Sequence, residues 1–150
     1  MNRTLNFVVK ALIAAGMILG VALLIYVTRY LFSYVGVPAA NGKPVWQFLA
    51  SYGLGVICFV LAEYIAWTLL KMMRSLDRDP FVMENVTALR RMGFAALAIM
   101  VLGLSTLLMQ SLPLVAVASL PIGMCGLFSL VLSGVFAAAV KAKQENDLTV

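Results

Sequence analysis

The chain has 150 residues, of which 63% are hydrophobic and 11% charged, with a mean hydropathy of +1.03. Soluble domains are about 45–50% apolar and about 25% charged, so these proportions exclude a soluble globular fold, and the length leaves no room for a separate soluble domain. The net charge of +5 comes from basic residues that flank apolar runs, which points to anchors at anionic headgroups rather than direct nucleic acid binding.

Arg3 and Lys10 precede an apolar run from Ala11 to Val27, and the first span is placed at about residues 8–28. A secretory signal has an apolar core of about 7–15 residues and ends in a small-residue cleavage site. This run is longer and is followed by Thr28, Arg29, Tyr30 and Phe32, so it reads as a retained helix. Gly16 and Gly20 form a G-x-x-x-G beside Ala14 and Ala15. That spacing lets helix backbones come close, inside the bundle or, alternatively, in a homo-oligomer. Residues 29–47 form an outer loop with turn signals at Asn41-Gly42 and two prolines. Tyr30, Tyr34 and Trp46 form an aromatic belt at headgroup level.

The second span covers about residues 48–70 and contains Glu63, an ionisable side chain inside an apolar run. Such a residue costs roughly 2.5–3.5 kcal/mol at a helix centre. Glu63 is therefore a candidate for an intramembrane polar role, either in packing or as a proton or ion group. Cys58 and Cys125 also fall within apolar runs, without disulfide or zinc spacing, and read as small buried residues. The chain has no histidine, the commonest metal ligand and general base. No metal, cofactor or catalytic pair is expected.

Residues 71–91, KMMRSLDRDPFVMENVTALRR, form the one long polar segment between the apolar blocks. Asp79 suits a helix N-cap and Pro80 the first turn. From there Phe81, Val82, Val86 and Leu89 recur at helical spacing while Glu84, Arg90 and Arg91 are polar. The segment reads as a lead-in that extends the third helix, whose span covers about 92–112, into the cytoplasm. An uncharged connection, Ser111 to Leu120, leads to a fourth span at about 121–140. Its Gly126, Ser129, Ser133 and Ala137 form a small-residue stripe facing the other helices, with a polar pore lining as the sharper alternative. Residues 141–150 form a tail.

Orientation follows from charge. Arg3 and Lys10, five basic residues in 71–91, and Lys141 and Lys143 make nine on one side, against Arg29 and Lys43 on the other. The positive-inside rule puts both termini in the cytoplasm. The expected fold is an all-α membrane protein: four transmembrane helices in an antiparallel bundle, in one domain.

The second half of the chain resembles a family of small bacterial membrane proteins, domain of unknown function 2975. The resemblance lies in Asp79-Pro80-Phe81, Glu84-Asn85-Val86 and Leu89-Arg90-Arg91-Met92-Gly93, then in Val135-Phe136 and Gln144-Glu145-Asn146-Asp147-Leu148-Thr149-Val150. Family members often have a polar cap at Val82, an acid at Gly134, arginines at Ala137 and Ala138, and a glycine at Ala139. The exit of the fourth helix is therefore less charged here. The resemblance implies four membrane helices in the bacterial inner membrane, no known enzymatic activity, and a neighbouring gene for a small helix-turn-helix regulator. The expected function is thus a non-enzymatic regulatory partner that binds such a DNA-binding protein. Phe81, Glu84, Asn85, Leu89 and Arg90, with Asp147, Leu148 and Val150, are its candidate surface. Two alternatives stay open: a small transporter or proton-linked carrier using Glu63, and a structural subunit of a larger membrane complex.

Overall fold

A computed structural model describes residues 3–33, 44–76, 82–110 and 113–147. They form four helices: α1 (Arg3–Ser33), α2 (Val45–Leu76), α3 (Met83–Gln110) and α4 (Pro113–Asp147). Each holds a stretch long and apolar enough to cross a membrane: Asn6–Leu31, Val45–Ser75, Met83–Leu108 and Val115–Asn146. The shortest helix has 28 residues and the longest 35. At about 1.5 Å per residue they reach roughly 42–53 Å, beyond a hydrocarbon core of about 30 Å. The helices therefore continue past the apolar runs that mark them in the sequence. Asn41-Gly42, Asp79 and Pro80 lie outside the described residues.

Several boundaries differ from the sequence expectation: residues 29–33 and 45–47, expected in the outer loop, end α1 and begin α2, and α3 starts at Met83 rather than at Pro80. Residues 113–120, expected as a connection, are the first turns of α4, and Pro121 lies inside that helix. Pro113 fits the start of a helix because its missing N–H has no partner there in any case. The uncharged run that follows gains most by satisfying its own backbone groups. Pro121 deprives one carbonyl of a donor in the turn before it, a loss that membrane helices tolerate.

The helices pack in chain order, α1 beside α2, α2 beside α3, and α3 beside α4, the last pair being by far the most intimate. The reason is residue size. On α4, Ala116, Ser119, Gly123, Gly126, Ser133 and Val140 are buried, a repeat of threes and fours that keeps one narrow seam on a single face. On α3 the matching seam runs through Leu89, Gly93, Ala96 and Gly103. A methyl group on Gly126 would lie 2.9 Å from Ala96 Cβ and 2.9 Å from the Gly93 carbonyl oxygen. A methyl group on Gly103 would lie 2.5 Å from Ser119 Cβ. The two backbones touch through glycine, and nothing larger fits.

Hydroxyls can enter this seam because they are satisfied at once. Thr106 donates to Gly103 O at 2.6 Å, Ser119 to Ala116 O at 2.7 Å and Ser133 to Leu130 O at 2.7 Å, each within its own helix. Ser129 instead crosses to α3 and donates to Leu89 O at 2.8 Å.

The α1–α2 contact is slight by comparison. Thr28 donates its single hydroxyl proton to Leu24 O at 2.6 Å, so Tyr52, whose hydroxyl is 2.6 Å from Thr28 Oγ1, must be the donor in that pair. Most large apolar side chains of α1 face away from the protein, among them Phe7, Leu12, Ile18 and Leu19. Such a surface is stable only against lipid or another apolar body.

Candidate functional site

The polar end of the assembly is built where α2 stops and α3 starts. Along α2, Tyr64, Trp67, Lys71 and Ser75 recur at three- and four-residue spacing and so share a face. Along α3, Glu84, Ala88 and Arg91 do the same. The two faces enclose a cleft of about 370 Å³. Lys71 Nζ and Glu84 Oε1 meet across it at 3.0 Å, with side chains 71% and 66% exposed. A pair so exposed contributes at most about 1 kcal/mol, and it ties the helices together only lightly. Asn85 also lines the cleft and is buried to 1% exposure, beside Val86 at 2%.

The donors in this cleft are unevenly committed. Thr68 gives its proton to Tyr64 O at 2.8 Å and Thr87 gives its own to Met83 O at 3.1 Å, so neither hydroxyl offers one to a ligand. Arg91 is exposed and makes no ion pair among the described residues. What the cleft offers a visitor is a free guanidinium, the rest of an ammonium, and two aromatic rings on its apolar side. Those groups suit the binding and orienting of an anion.

The residues expected to meet a partner divide sharply. Glu84 and Arg90 are exposed. Asn85 and Leu89 are buried within the protein, Leu89 at 7% exposure beneath the Ser129 hydroxyl. They hold the face rather than present it, because they sit on the side of α3 turned toward its neighbours. Phe81, Leu148 and Val150 lie outside the described residues. Asp147 closes α4, and Lys141 and Glu145 pair along that helix at 3.8 Å.

Glu63 lies against α1. A methyl group on Gly20 would be 2.8 Å from Glu63 Oε1 and 3.1 Å from Phe59 Cε2, whereas one on Gly16 would meet nothing within 4 Å. Half of the G-x-x-x-G therefore serves as a slot for the Glu63 side chain. Next to this slot a second cleft, of about 370 Å³, opens between α1 and α2 and is walled almost wholly by apolar residues such as Leu24, Val27 and Phe59. No group of three or more histidine, cysteine, aspartate or glutamate side chains stands together among the described residues. Cys58 is half-buried, but Cys125 is exposed on the outer face of α4, a correction to its reading as buried. It sits one position before Gly126 and so falls off the packed seam.

Sequence reasoning missed Tyr64, Trp67 and Lys71 as one face, and missed Gly93 and Gly103 as contact points. The signal was there, in three- and four-residue spacing carried past the end of the apolar run, and in small residues on α3 as well as α4. No curated protein and no solved structure matches this chain. A family model does match, over residues 7–150, which extends the resemblance from the second half to nearly the whole length. The chain belongs to the family described as protein of unknown function (DUF2975).

Proposed function

We propose that the chain is a non-enzymatic, multi-pass protein of the bacterial inner membrane, with both termini in the cytoplasm. Its role is to bind a small cytoplasmic helix-turn-helix regulator at the charged end of the helices. The orientation is supported by the nine basic residues on one side against two on the other. An antiparallel course of α3 and α4 is supported by their contacts, since Leu89 meets Ser129, Gly93 meets Gly126 and Gly103 meets Ser119. As one number rises the other falls, so the start of α3 and the end of α4 emerge together.

The observation that carries the reading is this shared end: exposed Glu84 and Arg90 on α3, next to the run of α4 that continues beyond Val140 to Asp147. The buried Asn85 and Leu89 fix that surface in shape. The proposed contact residues are then Glu84 and Arg90, with Phe81 and the tail residues Asp147, Leu148 and Val150 kept from the sequence motifs.

Co-purification from mild detergent tests this. A small soluble DNA-binding protein should accompany the chain, and should be lost from a variant carrying Arg90→Glu or from one lacking residues 147–150. Both variants should still insert in the membrane. Recovery only with a large membrane complex would favour the subunit reading, and recovery of nothing would remove the partner altogether.

A further inference from the structure

We propose that the cleft between α2 and α3 binds the headgroup of an anionic phospholipid of the bilayer in which the protein sits. The inference rests on the membrane-spanning part of the reading above and is independent of any regulator. Three features of the cleft specify the ligand. Its two sides each supply a cation, Lys71 from α2 and Arg91 from α3, at the level where the apolar spans end. Tyr64 and Trp67, exposed by 39% and 59%, lie seven and four residues before Lys71 on the same face of α2. They therefore lead from the charged groups toward the apolar part of the span. This is the order of groups that a phospholipid meets from phosphate to glycerol to acyl chain, and aromatic rings favour that interfacial depth.

Charge sets the sign and the size of the preference. Glu84 offsets Lys71 across a 3.0 Å pair, which among the described residues leaves Arg91 as the cleft's uncompensated charge. Its planar fork can take two phosphate oxygens at once, which an ammonium cannot. Basic pockets between membrane helices on the cytoplasmic side select anionic headgroups in just this way. One interfacial cation is worth about a fivefold preference for an anionic over a zwitterionic lipid. A free phosphate ion would satisfy Arg91 equally but would leave the aromatic wall unused, so the lipid is the better fit.

Trp67 supplies the readout. The chain has two tryptophans, and Trp46→Phe leaves Trp67 as the reporter inside the cleft. The protein is placed in bilayers of phosphatidylcholine with a minor fraction of lipid brominated on its acyl chains, either phosphatidylglycerol or phosphatidylcholine, and Trp67 quenching is compared. We expect about a fivefold preference for phosphatidylglycerol, lost with Arg91→Gln and retained with Arg74→Gln, which removes a basic residue outside the cleft. Should Arg91→Gln fail to fold, collapse of the preference in molar salt, where screening shortens to about 3 Å, together with its retention in Arg74→Gln at low salt makes the same distinction. Equal quenching by the two lipids overturns the proposal, and so does an equal loss with Arg74→Gln, which would mean diffuse surface charge. Relief of the quenching by inorganic phosphate would assign the cleft to a free anion and overturn the lipid. Extraction of the protein from membranes by alkaline carbonate reports separately on the membrane reading itself.

Discussion

Gly126→Ala tests whether the α3–α4 pair is held by backbone contact. The added methyl carbon would stand 2.9 Å from Ala96 Cβ, 2.9 Å from Gly93 O and 3.3 Å from Leu97 N. Carbon atoms in ordinary contact are about 3.5–4.0 Å apart, so the helices must separate by roughly 0.6–1 Å at this point. Two of the three obstacles are backbone atoms, and the third is a β-carbon fixed to one. None can swing aside. A gap of that size forfeits a quarter to a half of the dispersion energy of each contact it opens, and a rigid helix carries the loss along the seam to Gly93 and Gly103. Overpacking of this kind costs about 1–3 kcal/mol, and alanine recovers up to about 1 kcal/mol of that through helix propensity. With that gain taken in full, the net destabilisation expected is about 0–2 kcal/mol, up to roughly a thirtyfold shift toward the unfolded state, and about 1–3 kcal/mol relative to an alanine that gains the same propensity without the clash. Gly134→Ala is the matched control, because a methyl group there meets nothing within 4 Å. It should leave stability unchanged or raise it by up to about 1 kcal/mol. Unfolding by a denaturing detergent in mixed micelles, followed by helical circular dichroism, would compare the two. If Gly126→Ala proves as stable as Gly134→Ala, the seam is not closed at this glycine and the packing account fails.

Other parts of the structure give sharper yes-or-no outcomes. An enzyme reporter that works only outside the cytoplasm should be silent when fused after Val150 or inserted near Ser75 and active near Asn41; activity at Val150 would reverse the orientation. Tyr52→Phe removes the donor to Thr28 and should cost about 0.5–1.5 kcal/mol in the same detergent titration. No change there would mean that the α1–α2 contact does not depend on this bond. Glu63→Gln keeps the shape of the side chain beside Gly20 and should alter neither expression nor stability by more than about 0.5 kcal/mol. A proton-coupled flux in vesicles that disappears in that variant would favour the carrier reading. Glu84→Gln, which breaks an exposed ion pair with Lys71, should likewise stay within about 0.5 kcal/mol on unfolding.

The resemblance at 79–93 and 144–150 pointed to the family that the match over residues 7–150 now shows. Where the lead-in of α3 carries apolar residues at helical spacing, sequence and structure agree that the helix begins well ahead of the span, but it starts at Met83, with Val82 still outside it, rather than at the expected Pro80. The outward faces of its first turns, Glu84 and Arg90, could also be read from polarity.

Composition and run length determined by themselves that there would be four apolar helices, because hydrocarbon requires every backbone group to be satisfied within its own segment. Charge placement set the expected orientation, and small residues at fourfold spacing marked one side of α4 as a contact face. Only tertiary structure decided which neighbour that face meets, since packing depends on both surfaces and the α3 glycines mean nothing until Gly126 and Ser119 stand opposite them. The same holds for the start of α4 at Pro113, where an apolar run reads equally as loop or helix. It holds above all for the cleft, whose cations Lys71 and Arg91 are twenty residues apart in the chain and become one site only when α2 and α3 lie side by side.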